Sequence, residues 1–364
     1  MRARARARLI AWFDREARAL PWRATRDPYA IWVSEVMLQQ TRVETVVPYY
    51  VRFLERFPTA AALAAADEGE VLACWSGLGY YRRARLLHAG VREVAARHGG
   101  EVPRETEARR ALPGVGRYIA GAIGSIAFDL PEPIVDGNVA RVLSRVHAIE
   151  APLGTKDSER ALWREAEAWV EGPRPGALNQ ALMELGATTC TPLAPRCPSC
   201  PLRSVCMASA EGRATDLPRP RVRKPPRAVS VVALVARDRG GRALLEEPAF
   251  RAREEGGTLG GELFRGLFGV PMTEGEGRST ARRLADRVGA SLTSRRVAEL
   301  VHVLTHRRLA VQVYEARIER APVGTRLVSP EDLATLGVAT LTTKILRSLP
   351  TLRAPETIAK RRTK

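Results

Sequence analysis

Lysine is almost missing from this chain: the first one is Lys156, so nothing before it can offer an ε-amine for Schiff-base chemistry. No apolar run is long enough to cross a bilayer. The N-terminal MRARARAR is not followed by the apolar stretch of a secretory signal, but runs at once into core-like LIAWF. It is therefore expected to begin a first helix, with the cytoplasm as the expected compartment. No G-x-x-x-x-G-K-[ST] occurs, which excludes a P-loop for nucleotide phosphates. Cysteine is scarce, and four of the five crowd into one segment, so a secreted disulfide framework is excluded. Acidic residues are in the minority, 40 against 58 Lys and Arg, for a formal charge of +18. That excess favours a polyanionic partner, and without a basic amphipathic anchor nucleic acid comes before membrane.

At 364 residues the chain exceeds one ordinary core, and two domains are expected. Apolar residues recur at helical spacing from Leu9 to about Val205. A helix should start at Asp27-Pro28, an N-cap with proline behind it. Others are expected near 59–73, 81–97, 118–128 and 158–169. ATDLPRPRVRKPPR, residues 214–227, reads as a semi-rigid linker. Beyond it, VSVVALVARDRGGRALLEE predicts two strands around a glycine turn, LAVQVYEARI alternates like a strand, and 279–288 is helical. The expected boundaries begin with a helical domain over 1–212. A linker at 213–228, an α+β domain at 229–350 and a basic tail at 351–364 follow.

Three places carry chemistry. Cys190, Cys197, Cys200 and Cys206 are spaced C-x6-C-x2-C-x5-C. One compact loop of four thiolates suits an iron–sulfur cubane, with zinc as the alternative left open by spacing alone. Cys74 stands apart and reads as a buried free thiol. Leu112–Gly116, LPGVG, closes a turn whose glycines are free to take positive φ, ahead of the helix with Tyr118. Amides at such a helix start can hold a phosphate, although a plain helix connection would use the same residues. The third place is a pair of carboxylates. Glu35 lies in AIWVSEVMLQQT, apolar on almost every side of its helix, so burial should raise its pKa and suit it to be a general acid. Asp136, in IVDGN, sits where a carboxylate can point from a helix start into a cleft, or serve as an ordinary N-cap. One carboxyl ready to give a proton and one kept ionised is the constellation for cleaving a glycosidic bond.

These residues resemble the adenine DNA glycosylases, the MutY family of the helix-hairpin-helix superfamily. The likeness runs from about residue 9 to 350 and rests on LPWR, SEVMLQQT, WSGLGYYRRARLL, LPGVGRYIAGAI, VDGNVARVLSR and the cysteine spacing. It implies an all-α helix-hairpin-helix glycosylase domain with a [4Fe–4S] loop, made of a six-helix module with the hairpin at about 29–129 and a helical iron–sulfur module of 1–28 and 130–212, and a smaller α+β Nudix-like domain behind it. The implied activity is monofunctional excision of adenine opposite 8-oxoguanine or guanine in duplex DNA. The enzyme would act as a monomer in the bacterial nucleoid. Glu35 would protonate adenine N7, and Asp136 would stabilise the sugar cation with Tyr118 and Asn138 in support. Trp22, Arg23 and Gln180 would line the adenine pocket, and Gln40 and Tyr80 would enter the duplex. Gly114, Val115 and Gly116 would hold DNA phosphate, and Cys190, Cys197, Cys200 and Cys206 the cluster.

Endonuclease III-type relatives carry a lysine where Tyr118 stands, and nick the strand; a glycosylase-lyase for oxidised pyrimidines is the first alternative. A non-enzymatic iron–sulfur DNA-binding protein is the second. In the C-terminal domain no G-x5-E-x7-R-E-x-x-E-E run follows Gly266 or Gly269, which excludes pyrophosphate hydrolysis. Leu304-Thr305-His306 stands where relatives use Phe-Ser-His on 8-oxoguanine. Threonine keeps the hydroxyl, so Thr305 and His306 are the implied readers of the oxidised base.

Overall fold

The computed structural model describes residues 1–221, 225–248, 250, 264, 266–293, 295–304 and 306–349. Thr305, the tail at 351–364 and most of 249–265 lie outside them. The chain divides into two units, Met1–Ala66 with Arg82–Arg223, and Asp67–Tyr81 with Lys224–Lys364.

The helices in chain order are α1 (Arg2–Glu16), α2 (Pro28–Leu38), α3 (Val43–Arg56), α4 (Ala60–Ala65), α5 (Glu68–Cys74), α6 (Arg82–Arg97), α7 (Thr106–Ala111), α8 (Arg117–Phe128), α9 (Gly137–Val146), α10 (Lys156–Val170), α11 (Pro175–Thr188) and α12 (Met207–Ala210). All but α5 belong to the first unit. The start of α2 is as the sequence predicts: Asp27 accepts hydrogen bonds from the amides of Tyr29 and Ala30, with Pro28 at the first position. Residues 29–37 of α2 and 119–126 of α8 are all buried. Helices apolar on every side become the centre of a bundle, and α2 and α11 both pack on α8 there.

The helix expected over 59–73 is instead two short ones. Ala66 and Asp67 are extended, and acidic Glu68 and Glu70 open a new N-terminus favoured by the helix dipole. The second piece, α5, falls outside the helical domain as bounded from sequence: Asp67–Tyr81 groups with the C-terminal unit, where the Tyr81 hydroxyl donates to the carbonyl of Val338 at 2.8 Å. Part of the expected linker is likewise not free-running. Leu217, its one large apolar side chain besides the valine, is buried, and its carbonyl accepts from Arg145 Nε at 2.8 Å within the first unit.

In the second unit, β1 (Arg227–Arg237), β2 (Ala243–Glu246), β3 (Met272–Glu274), α13 (Gly277–Arg287), β4 (Ser291–Leu292), β5 (Ala298–Val303), β6 (Arg307–Arg317), β7 (Thr325–Val328) and α14 (Thr340–Arg347) form an α+β layer structure. The sheet runs β4-β6-β1-β2-β7, with β3 paired to β1 and β5 to β6. β1 and β6 are parallel in register from Arg227↔Arg307 to Arg237↔Arg317. Residues 231–236 of β1 are completely buried, as a central strand covered on both faces must be. Ala281, Leu284, Ala285 and Val288 of the α13 region join that core.

Candidate active site and nucleic-acid interface

α2 carries Glu35 into a cleft of about 450 Å³ in the first unit. The Pro21–Arg23 turn, the end of α2, the start of α8, the start of α9 and one face of α11 form its walls. Glu35, Asp136, Tyr118, Asn138, Trp22, Arg23, Gln40 and Gln180 all line it, so eight residues singled out from sequence converge in space.

Glu35 is 4% exposed and accepts a 2.5 Å hydrogen bond from the Tyr118 hydroxyl. Burial pushes its carboxyl up to about 7, with Asp136 adding to the rise and the Tyr118 bond and the Arg23 charge opposing it. Burial and the nearby carboxyls hold the Tyr118 phenol well above its ordinary value, so it stays a donor. Its hydroxyl also lies 3.6 Å from Met183 Sδ.

Asp136 is both the N-cap of α9 and a wall of the cleft, so its two sequence readings coexist. Its carboxylate accepts from the Val139 amide at 2.7 Å and from Asn138 Nδ2 at 3.0 Å. Burial raises Asp136, while these donors and the charge of Arg141 act against the rise. Its two side-chain hydrogen bonds are both accepted from donors, and the Arg141 charge adds to them, although burial leaves the carboxyl above its ordinary value. Arg141 in turn donates to Asn138 Oδ1 at 2.8 Å and to the carbonyls of Cys190 and Gly186, both at 2.7 Å.

Trp22 is buried edge-on to Tyr50, 5.4 Å between rings. Gln40 is exposed at the lip of the cleft with φ 58°, and Tyr80, in the second unit, is 50% exposed with φ 49°. Left-handed backbone at a non-glycine residue costs on the order of 1 kcal/mol and clusters at functional positions. His306 is exposed at the turn between β5 and β6, beside half-buried Leu304.

The hairpin joins α7 to α8. Gly114 has φ 77°, and a Cβ there would lie 2.6 Å from Leu86 Cβ, so glycine is required twice over. Gly116 departs from the expectation of positive φ. It is extended, at φ −83° and ψ 179°, as the N-cap of α8, and a Cβ there would meet nothing within 4 Å. Its lack of a side chain leaves the front of the helix open to an approaching group. Val115 is buried as the hairpin's apolar anchor.

Cys190, Cys197, Cys200 and Cys206 line one small cavity with Arg145, Arg196 and Arg203. Burial pushes the Cys200 thiol up to about 11, and the three other cysteines add to it. Arg145 Nη1 donates to Cys190 Sγ at 3.2 Å. Among the described residues no three His, Cys, Asp or Glu are grouped to hold a single metal ion. Four half-buried sulfurs around one cavity are a donor set that either an iron–sulfur cluster or a single thiolate-bound metal would use. Cys74, expected to be buried, is half-buried, and it forms no disulfide.

Sequence reasoning missed Arg18, Met183 and Glu184, which also line the cleft. Glu184 is 1% exposed and is bound by both Arg18 and Arg23. The only local signal was that Gln180 and Glu184 lie one turn apart on α11.

Residues 33–168 match the family profile of the HhH-GPD superfamily base excision DNA repair proteins. Over 94% of its length the chain is 37% identical to the adenine DNA glycosylase of Mus musculus, covering 77% of that protein. It is 37% identical to the Homo sapiens adenine DNA glycosylase over 94% of its length and 73% of the relative's. Among solved structures it is similar to a thermostable thymine-DNA glycosylase, with TM-score 0.51 and 29% identity, over 58% of this chain and 97% of that one.

Proposed function

The chain belongs to the adenine DNA glycosylase family of the HhH-GPD superfamily, and from that premise we propose that it removes adenine paired with 8-oxoguanine or guanine without nicking the strand. Membership makes it a base excision repair N-glycosylase acting on DNA. One observation carries the finer assignment: a buried carboxyl held near pH 7 and a donor-bound carboxylate share one cleft.

Adenine is reached only after it leaves the stack. Glu35 gives its proton to N7, the C1′–N9 bond breaks with its electron pair leaving on the base, and Asp136 faces the sugar cation until water adds to C1′ and gives up a proton to one of the two carboxylates. Asn138 holds Asp136, and Tyr118 holds Glu35. Trp22, Arg23 and Gln180 contact the extruded base, while Gln40 and Tyr80 occupy the duplex around the mispair. Gly114, Val115 and Gly116 present the start of α8 to a phosphate. No lysine precedes Lys156, which supports simple hydrolysis over a lyase step.

The α+β unit acts as the Nudix-like reader of the oxidised guanine through His306 and Thr305, supported by the exposed turn that bears His306. Cys190, Cys197, Cys200 and Cys206 hold a [4Fe–4S] cluster. When bound, that cluster supplies a four-point crosslink of the loop, and no hydrolytic step passes through it.

The test is single-turnover release of adenine from an A·8-oxoguanine duplex, read as strand scission with and without alkali. Scission should require alkali, and Glu35→Gln should bind the mispair without releasing adenine. Borohydride-trappable nicking would replace this reading with the lyase, and near-normal release by Glu35→Gln would remove Glu35 from its role.

A further inference from the structure

We propose that Glu184 is a positioning residue for this reaction: it clamps Arg18 and Arg23 to the α11 wall and cancels one of their two charges, so that neighbouring Glu35 keeps its proton. The inference rests on Glu35 being the proton donor.

Glu184 has no access to solvent through its side chain, and its four donor contacts come from the two arginines alone. Oε1 accepts from Arg18 Nε at 2.8 Å and from the Arg18 amide at 3.2 Å, and Oε2 from Arg18 Nη2 at 2.9 Å. Oε2 also accepts from Arg23 Nη2 at 2.8 Å, while Arg23 Nη1 donates to the Arg18 carbonyl at 3.0 Å. The Arg23 guanidinium lies over the Phe13 ring at 5.1 Å, completing its fixed geometry. Burial pushes Glu184 up, but the two arginines outweigh it and hold the carboxyl down at about 2, so it is charged at every working pH.

The charged and titratable groups around Glu35 are Arg23 from the 3-10 turn, Tyr118 from α8 and Asp136 from the α9 cap, with Arg141 behind Asp136. Of these, only Arg23 and Tyr118 draw Glu35 toward ionisation, and Arg23 alone carries a full charge. Arg18 is further influenced by Glu44. A cation on the wall of a buried acid's pocket disfavours the protonated form unless it is neutralised and held in place. Glu184 does both.

The experiment follows the protonated Glu35 carbonyl by infrared difference spectroscopy against Glu35→Gln, alongside the pH profile of single-turnover adenine release. In Glu184→Gln, which keeps the acceptor but not the charge, the Glu35 midpoint and the alkaline limb should both move down by about one pH unit. Release then falls about ten-fold at a fixed pH above the limb. Glu184→Asp should restore most of the shift. Arg18→Gln, with Glu184 intact, removes a half-exposed cation and should move the limb the other way; it decides the matter if Glu184→Gln does not fold. A folded Glu184→Gln with an unmoved Glu35 midpoint, or a rate lowered by one factor at every pH, overturns the proposal. Because the spectroscopy does not depend on turnover, an active Glu35→Gln would sink the assigned donor and leave the Glu184 effect still measurable.

Discussion

At the scale of the residue, the site is built by denying a glutamic acid its charge. Glu35 titrates near 7 in the folded protein and near the ordinary carboxylate value when unfolded. An acid whose folded pKa is raised binds its proton more firmly in the native state. Stability is therefore unaffected well below pH 4.5, declines as pH rises through the window up to 7, and carries the whole penalty above it. That penalty is about 3 kcal/mol for a fully buried carboxyl. Glu35→Gln does not titrate, so the unfolding free energy of the variant should gain on the parent by about that amount between pH 4 and pH 8. Urea unfolding at the two pH values checks it, and a constant difference would mean that burial leaves the Glu35 pKa where it is in the unfolded chain. Tyr118→Phe probes the same residue from its partner. The hydroxyl favours the ionised form, so its loss should raise the Glu35 midpoint and carry the alkaline limb of adenine release to higher pH. A limb that stays or falls would show that the 2.5 Å contact does not act on the carboxylate.

At the scale of the element, the hairpin separates two glycines that look alike in LPGVG. Gly114→Ala forces a side chain to φ 77° and onto Leu86, and should destabilise the first unit by about 1–3 kcal/mol. Gly116→Ala meets ordinary φ and open space, so stability should change by less than about 0.5 kcal/mol. It should instead weaken duplex binding, because a methyl group now stands before the α8 amides. Thermal unfolding and a binding titration on each variant separate the two roles. Equal loss of stability in both would remove Gly116 from the interface. The same contrast shows what a sequence carries. The start of α2 was legible because Asp27-Pro28 is a local instruction, and Glu35 because Ile31, Trp32, Val33, Val36, Met37 and Leu38 around it are apolar. The break between α4 and α5 was not, since an alanine run with one Asp67 reads as continuous helix until packing decides. Nor was the Glu184 clamp, whose partners Arg18 and Arg23 lie far away in the chain and share no periodicity with it.

At the scale of the whole molecule, the convergence of eight forecast residues in one cleft was legible only through resemblance; periodicity could place each on an element but not bring α2, α8, α9 and α11 together. The net charge of +18, by contrast, is a property no fold is needed to read. It acts over the surface, where salt screens it, whereas Glu35 is buried and Asp136 half-buried in their shared cleft, where salt screens less. Duplex binding and base release should therefore respond unequally to ionic strength. Each phosphate neutralised by an arginine releases counterions, and six such contacts would lower duplex affinity about 10³-fold between 50 and 200 mM salt. The single-turnover rate of the already bound mispair should change less than about two-fold over the same range. Filter binding and quenched-flow release on one A·8-oxoguanine duplex measure both. A flat binding curve would leave the arginine excess without a role in DNA recognition. A chemical step that fell as steeply as binding would place the reacting carboxyls in contact with solvent, contrary to the closed surroundings that the fold gives Glu35.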